Sequence, residues 1–217
     1  MGAPFAIEHT VGATAEFHAL TSFTGRIALF HQVQQPTLVL GSTQRPNEVD
    51  GHVAAALGVD VVGRRSGGGS VLVMPGEAVW LDLVIPAGDP LWCDDVGAAM
   101  KWVGECWRAA LDAIGMSTSV HEGGLLSGAW GRSICFASVG TGEVMQGTAK
   151  VVGISQRRTR EWARFQTMCH LRWRPELVAA LTAAPRPAAA DLAAVVAVVP
   201  EPAAALTAAL SAQLRQY

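Results

Sequence analysis

The order of predicted elements places this 217-residue chain in the α+β or mixed α/β class. Three observations carry that reading. Short apolar runs with strand character fill the first half. A helix with three- and four-residue periodicity follows near residues 95–114. Further strand-like runs then precede alanine-rich terminal segments cut by prolines.

Residues 1–25 give weak signals. Ile27, Leu29 and Phe30 begin a strand, and Pro36–Gly41 reads as a short buried strand ending in a turn. Pro46 to Leu57, closed by Gly58, predicts a short helix with proline in its first turn and glycine at its end. Val59, Val61 and Val62 form a strand that runs into a glycine-rich stretch, and Val71–Met74 forms the next. Along residues 79–85, Trp80, Asp82 and Val84 face opposite to Val79, Leu81 and Leu83. The helix at 95–114 takes Asp94 or Asp95 as N-cap and carries Val96, Met100, Val103, Trp107, Ala110 and Ile114 as its apolar stripe, with Cys106 beside it as packing. Residues 133–139 and 143–145 read as strands around a Gly-Thr-Gly turn, and 150–154 as another. Residues 175–184, 189–199 and 202–214 read as short helices separated by Pro185, Pro187, Pro200 and Pro202. One domain over 1–217 is expected, with its core at about 27–175.

Half of the residues are hydrophobic and 16% are charged, which suits a folded domain with a substantial core. A net charge of −2 implies no sequence-wide attraction to nucleic acid or an anionic membrane. The apolar runs are interrupted before about 18 residues, too short for a membrane span. The first ten residues lack the pattern of a signal peptide. Four cysteines without metal-ligand spacing suit reduced thiols, so a cytoplasmic location is expected, with no metal site. Only Lys101 and Lys150 among the sixteen basic residues are lysines, which makes each informative.

Gly67, Gly68 and Gly69 lie between two apolar strands. Without a Cβ, such a backbone can lie flat against a ligand and turn amide N–H groups toward it; the bland reading is a hairpin turn. No Gly-Lys-Ser/Thr follows, and no helix follows directly, so neither a Walker loop nor a dinucleotide fold is indicated. Arg64, Arg65 and Ser66 precede the glycines, adding positive charge and a hydroxyl suited to a carboxylate or acyl phosphate.

The segment Arg64-Arg65-Ser66-Gly67-Gly68-Gly69-Ser70-Val71 resembles the RRxGGGxV signature of lipoate–protein ligases and octanoyltransferases. About 80 residues on, Gly147-Thr-Ala-Lys150-Val-Val-Gly153-Ile-Ser-Gln156-Arg157-Arg158 is similar to the second conserved segment of that family. Two ordered matches are far more specific than one, and the resemblance covers roughly residues 27–175. It implies the fold of the biotin/lipoate protein ligase superfamily. That fold is a central mixed, mostly antiparallel sheet flanked by helices, related to class II aminoacyl-tRNA synthetases.

The resemblance also implies an activity: attachment of a lipoyl or octanoyl group to a carrier-protein lysine. It makes Lys150 the residue that meets the acyl carbonyl and the phosphate of an acyl-adenylate, a role that suits a compact ammonium. Arg64, Arg65, Ser66, Gly67, Gly68, Gly69, Ser70, Val71, Gly153 and Gln156 fall at substrate-binding positions. Amide formation needs an activated acid. A ligase-like enzyme makes acyl-AMP from ATP and Mg with lipoate or octanoate as substrate. The alternative is an ATP-independent octanoyltransferase carrying the acyl group as a thioester on cysteine. Cys135, fifteen residues before Lys150, matches the cysteine-dependent branch; read without the resemblance it is a buried strand thiol.

The sequence departs from the ligase pattern. Val73-Met74 stands where many members have His-Asp, and Gln166-Thr167-Met168 where His-Gly is frequent. These departures also admit a non-catalytic acyl- or carrier-binding homologue. The chain is shorter than the larger ligases, which favours transfer or a separately encoded accessory subunit. The partners implied are lipoyl domains of 2-oxoacid dehydrogenase complexes or the glycine cleavage carrier protein. The arginines at 157, 158, 160 and 164 read either as a face for an acidic carrier or as a solvated surface. Trp130-Gly131-Arg132 reads either as a border of the active site or, from its tryptophan, as core or rim, and His121 and His170 read as structural or surface groups.

The acyl pocket is expected from Val61, Val71, Val79 and Leu81. About six methylenes at ~0.8 kcal/mol each give at most ~5 kcal/mol, so the polar end must supply much of the affinity.

Overall fold

The period-2 alternation at residues 78–86 builds the centre of the molecule. In this computed structural model, which describes residues 2–217, the elements run β1 (Ala6–Gly12), α1 (Thr14–Ala19), β2 (Ile27–Val33), β3 (Thr37–Leu40), α2 (Gly51–Ala56), β4 (Asp60–Gly63), β5 (Val71–Val73) and β6 (Ala78–Pro86). Next come α3 (Val96–Ala99), α4 (Lys101–Ala113), β7 (Ser119–Val120), β8 (Leu126–Ser127), β9 (Ser138–Val139), β10 (Val144–Gln146), β11 (Ala149–Arg158) and β12 (Trp162–His170). The chain closes with α5 (Pro175–Leu181), α6 (Ala189–Ala193) and α7 (Ala203–Leu214).

Seven strands form one sheet in the order β1-β2-β6-β12-β11-β10-β7, and three form a second in the order β4-β3-β5. In the large sheet only β1 and β2 are parallel. The fold is therefore α+β with a mixed, mostly antiparallel sheet flanked by helices, as expected.

Alternation along β6 sorts its residues onto two layers. Val79, Leu81, Leu83 and Ile85 join Trp107, Leu111, Leu206 and Leu210 in the core between the large sheet and the pair α4 and α7. Trp80 turns to the other face, where Phe17, Val39, Val73, Phe136 and Met168 fill the space toward the small sheet. The site described below lies in this second layer.

Several boundaries differ from the sequence expectation. The helix expected over 46–57 divides into a 3-10 turn at Pro46–Glu48 and α2, because the Asp50 side chain accepts from Val53 N at 3.1 Å and starts a new helix. The helix near 95–114 is real and is capped by Asp95, which accepts from Ala98 N at 2.8 Å; it divides into α3 and α4 at Met100. Cys106 is buried in it, and burial pushes its thiol up to about 12, in keeping with packing.

Residues 133–139 are not a continuous strand. Cys135–Ala137 forms a 3-10 turn, because Ser133 and Cys135 are bound to Ser70. The region read as an arginine-rich face is the hairpin between the end of β11 and the start of β12; Arg164 is buried on β12, ion-paired with Asp82. The ends of the chain join the core. β1 pairs with β2, and Val195 and Ala197 bond to both sides of Lys150 on β11 (Lys150 N to Val195 O 2.9 Å, Ala197 N to Lys150 O 3.0 Å). Among the described residues no helix is long and apolar enough to cross a membrane.

Candidate active site

The glycine loop is not a hairpin turn. β4 lies parallel to β3 and β5 antiparallel to it, on opposite sides, so residues 64–70 cross the end of β3. Arg64 holds the crossing together. Its Nη2 donates to Gly67 O and Gly69 O, each at 2.8 Å, and its Nη1 donates to Val39 O at 3.4 Å. Two glycines are demanded by geometry. Gly68 has φ +96°, and a Cβ on Gly69 would lie 2.6 Å from Ile134 N. The same close approach stitches the loop to the next segment: Ser70 N and Oγ donate to Ser133 O at 2.8 and 2.9 Å, and Cys135 N donates to Ser70 O at 3.0 Å.

The guanidinium of Arg64 is buried, and no carboxylate meets it among the described residues. Burial lowers its pKa and Cys135 works in the opposite direction. A cation that faces only carbonyls keeps most of its field, so the site favours negative charge developing beside it. The Nη donors of Arg64 shape the loop, while its Nε is buried without a partner among the described residues.

Lys150 reaches this assembly from the other side. A bulge between β10 and β11, where Val144 pairs with Val152 but Met145 pairs with Lys150, leaves Val151 unpaired and turns Lys150 onto the same face as Gly153 and Ser155. Its Nζ donates to Cys135 O and to Glu143 Oε2, each at 2.8 Å, and sits 5.2 Å from the centre of the Phe136 ring. Glu143 is fully engaged: Oε2 also accepts from Gly140 N at 2.7 Å, and Oε1 accepts from Ile154 N at 3.0 Å. Lys150 is 1% exposed, so its ammonium holds the backbone of Cys135 rather than opening onto solvent.

Between the two sheets lies a mostly apolar cavity. Val39, Val71, Val73, Trp80, Phe136 and Met168 supply its apolar wall, and Arg64, Cys135, Gly153 and Gln166 its polar one. Cys135 is half-buried, and its Sγ lies 3.8 Å from the position a Cβ would take on Gly68. Thus the glycine loop, the thiol and Gly153 converge on one space, with Lys150 directly behind Cys135. A line of hydrogen bonds crosses the same wall. Ser155 Oγ and Ser66 Oγ lie 3.0 Å apart, Ser66 Oγ donates to Gln166 Oε1 at 3.0 Å, and Gln166 Nε2 lies 3.0 Å from His18 Nδ1.

Other expected residues fall elsewhere. Gln156 pairs with Phe165, so it lies on the opposite face from Ser155 and Gln166, toward α4, where its amide is buried without a partner. Arg65 is exposed; together with burial and Arg164 it lowers the pKa of Arg157. Arg158 turns to the helix layer, donating to Cys93 O at 2.6 Å and stacking over Trp92. Val61 is 40% exposed, and Val79 and Leu81 belong to the core under α4, so of the four expected apolar residues only Val71 lines the cavity. His170 is buried against Phe136 and Trp173, and burial lowers its pKa to about 4.

No local sequence signal marked His18 or Trp80 as site residues. Four of the five residues that depart from the ligase pattern, Val73, Gln166, Thr167 and Met168, line the cavity, so the altered positions were themselves a pointer to it.

The glycine loop crossing the small sheet, the apolar cavity over the mixed sheet and the buried lysine behind it together make up the candidate active site of this chain. The family model described as the lipoyl protein ligase A/B catalytic domain matches residues 5–215, and the chain belongs to that family.

Solved structures agree in fold. A bipartite lipoate protein ligase studied with its E2 lipoyl domain from Thermoplasma acidophilum superposes with a TM-score of 0.76 at 15% identity, over 100% of this chain and 83% of that one. A lipoate-protein ligase A bound with ATP gives 0.74 at 16% identity, over 100% and 85%. A biotin protein ligase from Aquifex aeolicus in complex with biotin and ATP gives 0.53 at 10% identity, over 97% and 68%. No curated protein matches the sequence.

Proposed function

We propose that this protein transfers a lipoyl or octanoyl group to a lysine of a lipoyl carrier domain through a thioester on Cys135. The observation that carries this reading is the position of Cys135: its thiol opens into the apolar cavity beside the glycine loop and the unpaired charge of Arg64. In the first step the sulfur attacks the acyl carbonyl of a donor thioester; the S–C bond forms and the donor thiol leaves. In the second the carrier lysine amine attacks the Cys135 thioester, an amide forms, and the thiol of Cys135 is restored. Arg64 stabilises negative charge in both tetrahedral intermediates, and Lys150 with Glu143 fixes the backbone that carries the sulfur.

The carrier is proposed from the family and from the E2 lipoyl domain named with the Thermoplasma protein. The exposed Arg65, with Arg157 near it on the same face of β11 as Ser155, offers an acidic carrier a basic face near the cavity.

Two parallel assays test the route. Apo lipoyl domain is incubated with an octanoyl-carrier donor without ATP, and separately with lipoate or octanoate plus Mg-ATP, following carrier mass. Modification without ATP that is abolished by Cys135→Ser supports the thioester route. Modification only with ATP, unaffected by Cys135→Ser, supports an acyl-AMP ligase instead. No modification in either assay, with acyl binding retained, supports a non-catalytic binding protein.

A further inference from the structure

We infer that His18 is a ligand-contacting, specificity-determining residue of the acyl cavity, presenting an N–H donor that selects acyl chains bearing an oxygen or sulfur acceptor along their length over plain alkyl chains. This rests on the acyl-transfer reading above and adds the chemistry of the acyl group.

His18 ends α1 and forms part of the cavity wall, 9% exposed and 5.0 Å from Trp80 between ring centres. The line of hydrogen bonds behind it sets its tautomer. Ser66 Oγ donates to Gln166 Oε1, so the carboxamide oxygen is an acceptor and the Gln166 Nε2 side is the donor. That donor meets His18 Nδ1 at 3.0 Å, so Nδ1 carries the lone pair. Burial lowers the His18 pKa to about 4, which leaves the ring neutral near pH 7. A neutral imidazole with Nδ1 as acceptor has its proton on Nε2. Nε2 is buried and has no partner among the described residues.

A buried donor that lacks a partner gains when a ligand acceptor reaches it. An alkyl chain filling the cavity leaves Nε2–H unpaired, as it is in the free protein. A chain with a ring sulfur or an oxygen can accept, with sulfur the weaker acceptor. The expected discrimination is about tenfold, the factor that corresponds to ~1.4 kcal/mol.

The test uses direct binding by calorimetry, with lipoate and octanoate as probes of equal chain length, on the full-length wild type and on His18→Phe and His18→Gln. Wild type is expected to bind lipoate about tenfold more tightly than octanoate. His18→Phe, which removes the donor, is expected to abolish the difference by weakening lipoate. His18→Gln, which keeps an N–H donor, is expected to preserve it. Nitrogen-15 spectra of the labelled histidine are expected to show the Nε2-protonated neutral form at pH 7, shifting when lipoate binds. Equal affinities in the wild type, or a preference that persists in His18→Phe, would overturn this inference and leave acyl binding intact. Failure of the wild type to bind either acid would overturn it together with the acyl-transfer reading.

Discussion

The ammonium of Lys150 lies 2.8 Å from the carbonyl oxygen of Cys135 and 2.8 Å from the carboxylate of Glu143, so the buried lysine of this fold is tied to the backbone that carries the thiol. Both charged groups are nearly inaccessible, and the pair depends on every remaining hydrogen bond Glu143 makes. Removing one partner leaves a buried charge alone. Lys150→Ala is therefore expected to cost about 3–5 kcal/mol in urea unfolding and to lose most transfer activity. Lys150→Met combined with Glu143→Gln should be less destabilising than the sum of the two single changes, giving a coupling energy on the order of 1 kcal/mol or more.

Arg64 has a different task. Its guanidinium spans three carbonyls, a geometry a lysine cannot reproduce. Arg64→Lys is expected to lower kcat at least tenfold while far-ultraviolet circular dichroism stays unchanged. Arg64→Leu should lower it further, because the charge beside Cys135 is gone.

The glycines of the loop are not equivalent. A Cβ on Gly69 meets Ile134 N at 2.6 Å and Cys135 N at 2.8 Å, whereas nothing lies within 4 Å of one on Gly67. Gly69→Ala should destabilise by about 1–3 kcal/mol and shift the Cys135 segment, seen as loss of activity. Gly67→Ala should change stability by less than about 0.5 kcal/mol. Thermal unfolding of the two variants checks both.

Much of this arrangement was legible in the sequence, and the reasons are physical. The facing of Trp80 and Asp82 against Val79 and Leu81 followed from the two-residue period of a strand. The glycine loop and Lys150 were visible because their residue types are uncommon in those surroundings. Strand β12 was hidden because Arg160 and Arg164 read as surface, while Arg164 is neutralised by Asp82 from a strand 82 residues away. Gln156 was assigned to the site by the resemblance alone, and the bulge at Val151, which turns Lys150 onto the face of Gly153 and Ser155, leaves Gln156 on the other. His18, Trp80 and Gln166 converge from three distant segments, and convergence of that kind has no local signature.

Acid pH should destabilise the fold through two histidines. Burial lowers the pKa of both His18 and His170 to about 4, against 6.5 when unfolded. Between these values the unfolded chain binds more protons than the folded one, so stability is fully present above pH 6.5 and falls as the pH drops toward 4. The expected loss is about 1.5 kcal/mol per histidine between pH 6.5 and pH 5. Urea titrations at these two pH values, repeated on His170→Phe, should show the slope reduced by about half in the variant.

The thioester is the claim that everything else serves, and it can be trapped. Rapid acid quenching of the protein mixed with an octanoyl-carrier donor, followed by peptide mass spectrometry, is predicted to find the octanoyl group on the Cys135 peptide. The adduct should be labile to hydroxylamine and should disappear when apo lipoyl domain is added. A carrier that becomes fully octanoylated while Cys135 stays unmodified at every quench time, and equally so in Cys135→Ser, would contradict the account.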